Sequence, residues 1–316
     1  DQGYGIVPLF PNAKNTHDHN WINKKYLIDD FLDDSNIGIN LGQSNLIDVD
    51  LDCELAVHFG RLWLPYNTLK LARITKKTVG EKSFNVEEIT HFFYVNNKSL
   101  KDNDVKKFKG QTILEHRCSG QTVVHGATPS KDDPNVMVMR KFYVDEQKPI
   151  FVDNLQTIVN KIYVAVALCS YAIGANLGAL KLDACVKRYC DWSDEEREDF
   201  IWNIVQKTDP NSRDCTYKKM QNHVRSNNKE SKNSGYKSFA NHIGADEKEI
   251  KNLFSLIGSI PSSDGYEKTK SIVDFNAASL DMPTLLKTEL PPMKWAIAGI
   301  LPEGFVCLAG RPKAMK

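Results

Sequence analysis

The chain lacks several features that would narrow its chemistry quickly. Its net charge is only +1, from 41 Lys and Arg against 40 Asp and Glu, so the molecule as a whole exerts no strong field on a polyanion or an acidic surface. Attraction for nucleic acid must then come from local clustering. The seven cysteines are scattered; the closest pair is Cys185 and Cys190, and no CxxC or Cys/His group has zinc-ligand spacing. Reduced thiols in a cytoplasmic protein are the simplest account. No apolar run reaches the ~20 residues of a bilayer span, and the longest, Ile162 to Ala175, falls well short. No signal peptide and no internal repeat are evident.

What is present describes an ordinary globular protein, 41% hydrophobic and 26% charged, with 316 residues sufficient for two cores. Basic residues gather in three places: Lys70, Arg73, Lys76 and Lys77; Lys101, Lys106, Lys107 and Lys109; and a run from Lys207 through Arg213, Lys218, Lys219, Arg225, Lys229 and Lys232 to Lys237. Such runs are usually solvated faces.

The most informative stretch is Leu46-Ile47-Asp48-Val49-Asp50-Leu51-Asp52. In a strand, side chains alternate with period two, so Asp48, Asp50 and Asp52 share one face and Ile47, Val49 and Leu51 the other. Acidic residues are depleted in strands, and like charges this close stay ionised only beside something cationic, most economically divalent ions. The alternative is a surface strand with a solvated acidic face.

Short strands are expected at Gly3 to Leu9 and Asn36 to Leu41, the latter stopping at Gly42-Gln43-Ser44. A helix is expected from Glu54 to Leu64, then strands Leu69 to Ile74 and His91 to Val95 separated by a lysine-rich loop. Gln111 to Arg117 and Gln121 to Val124 read as a hairpin turning at Ser119-Gly120, followed by a strand from Val136 to Val144. Beyond Pro149 the pattern becomes helical: Leu155 to Ile173, a helix behind the capping box Ser193-Asp194-Glu195-Glu196, and further helices at Thr216 to Val224, Gly235 to Ile243 and Asp246 to Leu256. Residues 261–293 have the composition of a tether, and strands at Ala296 to Ile300 and Phe305 to Ala309 precede Gly310-Arg311-Pro312-Lys313-Ala314-Met315-Lys316. This order predicts an α+β protein with a strand-rich unit over 1–150 and a helical unit over 151–260.

The acidic strand, Leu64-Pro65-Tyr66-Asn67-Thr68, Arg73, Thr90-His91-Phe92-Phe93-Tyr94 and Leu114-Glu115 together form a pattern that resembles the primase-polymerase catalytic domain of the archaeo-eukaryotic primase superfamily, in its phage and plasmid form. The match runs from Val7-Pro8-Leu9 and Lys14 to Glu115. The resemblance implies an RRM-like catalytic domain followed by a small helical domain that contributes to primer initiation. It also implies metal ligands Asp50, Asp52 and Glu115 for two Mg²⁺ or Mn²⁺ ions, with His91 on the incoming nucleotide's phosphates. Periodicity alone leaves Asp48 with Asp50 open against Asp50 with Asp52; the spacing from the Ser44-Asn45 turn that the resemblance implies favours the later pair, with Asp48 as the alternative or as a supporting carboxylate. Arg73, Lys76 and Arg117 are the remaining candidates for the triphosphate.

Departures from the family lie at His125-Gly126-Ala127 and in the long segment between Arg73 and His91. The final residues resemble the opening of a phosphate-binding loop, Gly310 to Lys316, with Met315 where a glycine is usual. Residues 294–316 are thus expected to begin a helicase-type ATPase. The implied activity is synthesis and extension of primers on single-stranded DNA from dNTPs or NTPs, for a mobile element in a bacterial or archaeal cytoplasm. A metal-dependent nuclease and a catalytically silent origin-binding module are the alternatives.

Overall fold

The computed structural model describes residues 3–96 except 17 and 81, 102–143 except 132, 147–258 except 175, 176, 210–220 and 223–234, and the short pieces 295–297 and 301–302. Nine strands form one antiparallel sheet: β1 (Ile6–Leu9), β2 (Asn36–Asn40), β3 (Leu46–Leu51), β4 (Leu69–Val79), β5 (Lys82–Val95), β6 (Asp104–Phe108), β7 (Gln111–Arg117), β8 (Gln121–Pro129) and β9 (Met137–Phe142). Their spatial order is β1-β2-β8-β9-β4-β5-β3-β7-β6. The helices are α1 (Leu41–Ser44), α2 (Glu54–Trp63), α3 (Leu155–Leu168), α4 (Leu177–Tyr189), α5 (Asp194–Thr208), α6 (Tyr236–Ile243) and α7 (Glu247–Ile257). The protein is α+β. No helix among the described residues is long and apolar enough to cross a membrane.

The acidic strand enters from a tight device. Asn40 accepts a hydrogen bond from the Gln43 amide to start α1, and Asn45, at φ 52°, turns the chain back into β3. Asn is one of the few residues that adopt this left-handed conformation cheaply. The apolar side of β3, Ile47, Val49 and Leu51, belongs to one large core with Phe59 of α2, Ile162 of α3, Phe200 of α5 and Phe254 of α7, all at 1% exposure or less. Each such side chain contributes about 1.5–3 kcal/mol on leaving water. The change of character near residue 150 is therefore a change of secondary structure within a single packed core. Residues 1–262 form one compact unit and 263–316 a second.

The opposite side of β3 is also buried, where a half-covered strand is the sequence expectation. A second core of Ile39, Leu41, Leu46, Leu69, Leu71, Phe93 and Val124 lies on this side. The Thr122 hydroxyl of β8 donates to Asp48 of β3, although β9, β4 and β5 stand between those strands in the sheet order. The sheet therefore curls back across its own acidic face.

Three expectations are corrected. The segment between Arg73 and His91 is not a loop: β4 and β5 continue as paired strands to a turn at Gly80, whose φ is +61°. Lysines there mask the strand-forming Thr75, Thr78, Val79, Phe84 and Val86. β7 and β8 do not form a hairpin. β7 pairs with β3 and β6, whereas β8 pairs with β2 and β9, and Gly120 at φ +85° redirects the chain between the two halves of the sheet. Helix α3 ends at Leu168 instead of Ile173, and α4 and β6 join the elements foreseen. Two short strands, β10 (Trp295–Ile297) and β11 (Leu301–Pro302), pair antiparallel. The helix expected at Thr216 to Val224 lies almost wholly outside the described residues. The strand at Phe305 to Ala309 and the Gly310 to Lys316 motif lie entirely outside them.

Candidate active site

Asp50 sits near the C-terminal end of β3 with His91 of β5 opposite it on one side and Glu115 of β7 on the other. Directly opposed residues in an antiparallel pair share a face, so this register alone gathers the three groups. Asp52 follows at the end of β3, its amide bonded to the Ile113 carbonyl at 3.0 Å. One carboxylate oxygen from each of Asp50, Asp52 and Glu115 lies within 4.8 Å of the others.

Asp48 is spent differently. Its Oδ2 accepts from Arg117 Nη2 at 2.7 Å and from Thr122 Oγ1 at 2.5 Å, and its Oδ1 lies 3.0 Å from His91 Nδ1. Burial pushes this carboxyl's pKa up, but the charges of His91 and Arg117 outweigh burial and hold it well below the usual carboxylate range. For Arg117, burial opposes the charge while Asp48 and Asp50 more than restore it. Asp48 thus fixes His91 and Arg117 in place, and it stands outside the acidic group. Among the described residues, the group of acids close enough to share a metal ion is Asp50, Asp52 and Glu115, without Asp48.

Two adjoining clefts open beside these acids. One is lined by Asp50, His91, Glu115 and Arg117 together with Gln121, Thr122 and Lys14; the other by Asp52, Arg73, Thr75, Val86, Glu88 and Val138. Lys14, Lys131 and Arg140 line both. Arg73 Nη2 lies 3.5 Å from Asp50 Oδ1, and Lys131 Nζ 2.7 Å from Asp52 Oδ1. The Arg140 guanidinium is pushed down to about 10 by burial and then by Arg73. The Lys14 ammonium is lowered by burial and then by Arg140 and Lys131. Cations that disfavour one another this way gain from an anion set among them.

Lys14 itself is held by the fold. Asn36 Nδ2 donates to the carbonyls of Ala13 and Ala127, at 3.0 and 2.7 Å, and Gln121 Nε2 donates to the Lys14 carbonyl at 2.5 Å. Gly126 makes this clamp possible: at φ +106°, a Cβ there would collide with the Asn36 side-chain amide.

The structure brings together Asp48, Asp50, Asp52, Arg73, His91, Glu115 and Arg117. Lys76 is not among them: it is exposed, and alternation along β4 turns it from the face of Arg73 and Thr75. Sequence reasoning gave no role to Thr122, Lys131 or Arg140 and none beyond the family match to Lys14. Arg140 did leave a signal, an arginine at the inward parity of β9 beside Val138 while Met137, Met139 and Lys141 are exposed. Lys131, on a loop, left none.

The donor set fits a hard divalent ion. Asp50 Oδ1 and Asp52 Oδ2 are buried and accept no hydrogen bond, so each keeps lone pairs that a cation could engage. No protein-family profile matches the chain, and no curated protein matches it.

Proposed function

We propose that this chain is a template-directed nucleotidyltransferase, a DNA primase and DNA polymerase that makes and extends primers on single-stranded DNA during replication of a phage or plasmid. The observation that carries this reading is the apposition of a close carboxylate group, Asp50, Asp52 and Glu115, with a cleft walled by Lys14, Arg73, Lys131 and Arg140. Oxygen ligands for metal beside a pocket for several negative charges are what phosphoryl transfer from a nucleoside triphosphate requires. The order along the chain of acid pair, histidine and acid supports the same reading through the family resemblance, as does the helical part that follows.

Asp50, Asp52 and Glu115 would hold Mg²⁺ or Mn²⁺, which when bound polarises a phosphoryl oxygen and neutralises leaving-group charge. Arg73, Arg140 and Lys14 bind the triphosphate. His91, fixed through Nδ1 by Asp48, presents Nε2 toward Asp50 at 3.4 Å and orients the substrate phosphates there. Lys131 and Arg73 hold the acids when substrate is absent and turn to the phosphates when it arrives. In this reading the RRM-like part ends near residue 150, the helices from α3 onward assist initiation, and Gly310 to Lys316 opens a helicase-type ATPase.

The test supplies unprimed single-stranded DNA, labelled dNTPs or NTPs, and Mg²⁺ or Mn²⁺ to wild type and to Asp50→Ala plus Asp52→Ala. Extended products from wild type alone are expected. Products made equally by both proteins would refute the assignment. Strand scission without nucleotides would show a nuclease, and duplex binding without synthesis that survives loss of the acids would show an origin-binding module.

A further inference from the structure

The β4–β5 hairpin runs past the body of the sheet. β9 pairs with β4 only over Leu71 to Ile74, and β3 pairs with β5 only from His91 onward. Residues 75–79 and 82–86 pair with each other alone, forming a two-stranded ribbon about 17 Å long at a rise of about 3.4 Å per residue. It carries Lys76, Lys77 and Lys82 on either side of the Gly80 turn.

One exposed aromatic carries no information by itself; here its position does. Phe84, 48% exposed, shares the β5 face of Val86 and Glu88, which with Arg73 and Thr75 wall the cleft beside Asp52. Lys82, also exposed, stands on that face one step nearer the turn. An unpaired aromatic ring and a lysine, in line with a cationic cleft, are the elements of a single-strand platform: the ring stacks on a base of any sequence, and the ammonium pairs with the backbone.

We propose that the ribbon is a single-strand-binding arm, with a nucleobase stacked on Phe84 and the adjoining phosphate on Lys82, leading the strand toward the Arg73 cleft. The proposal rests on the polymerase reading for the strand's destination, and its binding step is independent of catalysis. The experiment measures fluorescence anisotropy of labelled oligothymidylate with the full chain, without nucleotides or metal. Phe84→Ala weakens binding about 5–100-fold, Phe84→Trp stays near wild type, and Lys82→Ala lowers the salt dependence by about one phosphate contact. An abasic oligonucleotide of equal length binds Phe84→Ala and wild type alike.

Unchanged oligothymidylate binding by Phe84→Ala, or an equal loss on the abasic strand, would overturn the arm. A circular-dichroism melt confirms that each variant is folded. If wild type makes no products yet binding depends on Phe84, the arm stands and the polymerase reading fails; if synthesis depends on Asp50 and Asp52 while Phe84→Ala binds normally, the arm alone fails.

Discussion

Arg117 donates to Asp48 at 2.7 Å across the β3–β7 ladder, and that bond separates two kinds of acid within one strand. Asp48 is hydrogen-bonded to Arg117, His91 and Thr122, whereas Asp50 Oδ1 and Asp52 Oδ2 accept no hydrogen bond, Asp50 Oδ1 lying only at ion-pair distance from Arg73 and His91.

Stability should therefore divide along the same line. Asp48→Ala leaves Arg117, His91 and Thr122 without their acceptor in a buried setting, a loss of about 3–5 kcal/mol. Asp52→Ala removes a bond to Lys131, whose side chain is 61% exposed, and should cost below about 1 kcal/mol while abolishing nucleotide incorporation. Urea unfolding of both variants checks the contrast; equal losses would refute it.

Acid should expose the Asp48 contribution. Its folded pKa is depressed, so its stabilisation is complete above the unfolded value of about 3.9 and is lost as pH falls toward the folded one. The stability difference between wild type and Asp48→Asn should shrink steadily below pH 4, as read from denaturation midpoints.

Divalent ions should stabilise the fold through Asp50, Asp52 and Glu115. At 100 times the dissociation constant, Mn²⁺ should add about 2.7 kcal/mol to wild type. Asp50→Asn plus Glu115→Gln should erase most of that gain in a thermal-shift titration.

The crowded cations predict an anion response that needs no catalysis. Inorganic triphosphate should raise the melting temperature of wild type, and Arg140→Ala should weaken its binding at least tenfold, a loss of about 1.4 kcal/mol for one charge-assisted contact. Isothermal titration measures this directly.

Gly126→Ala tests the clamp on the Lys14 loop. It combines an unfavourable φ of +106° with displacement of Asn36 and should cost about 1–3 kcal/mol, together with weaker triphosphate binding. Stability loss with unaltered triphosphate affinity would show that the clamp does not position Lys14.

The acidic strand was legible because period-two alternation fixes which side chains share a face, and α5 because its capping box is local: Ser193 and Glu196 bond reciprocally as the sequence pattern predicts. The β4–β5 ribbon was missed because lysines and threonines on an uncovered ribbon show no apolar alternation. The separation of β7 from β8 was missed because a Ser-Gly turn has the same local chemistry whether its flanking strands pair or part. Thr122 and Arg140 reach the site only because the sheet curls, a property of pairings between distant strands that no short window of sequence carries.

The core shared by β3, α2, α3, α5 and α7 bears on how the helices after residue 150 can be interrogated. Truncation there would strip the cover from Leu51, Phe59 and Leu114 and present a sticky, oil-like surface to the solvent. A missing activity in such a fragment would report aggregation, so the contribution to starting a new strand that we propose for these helices is accessible only through single surface replacements in the intact chain.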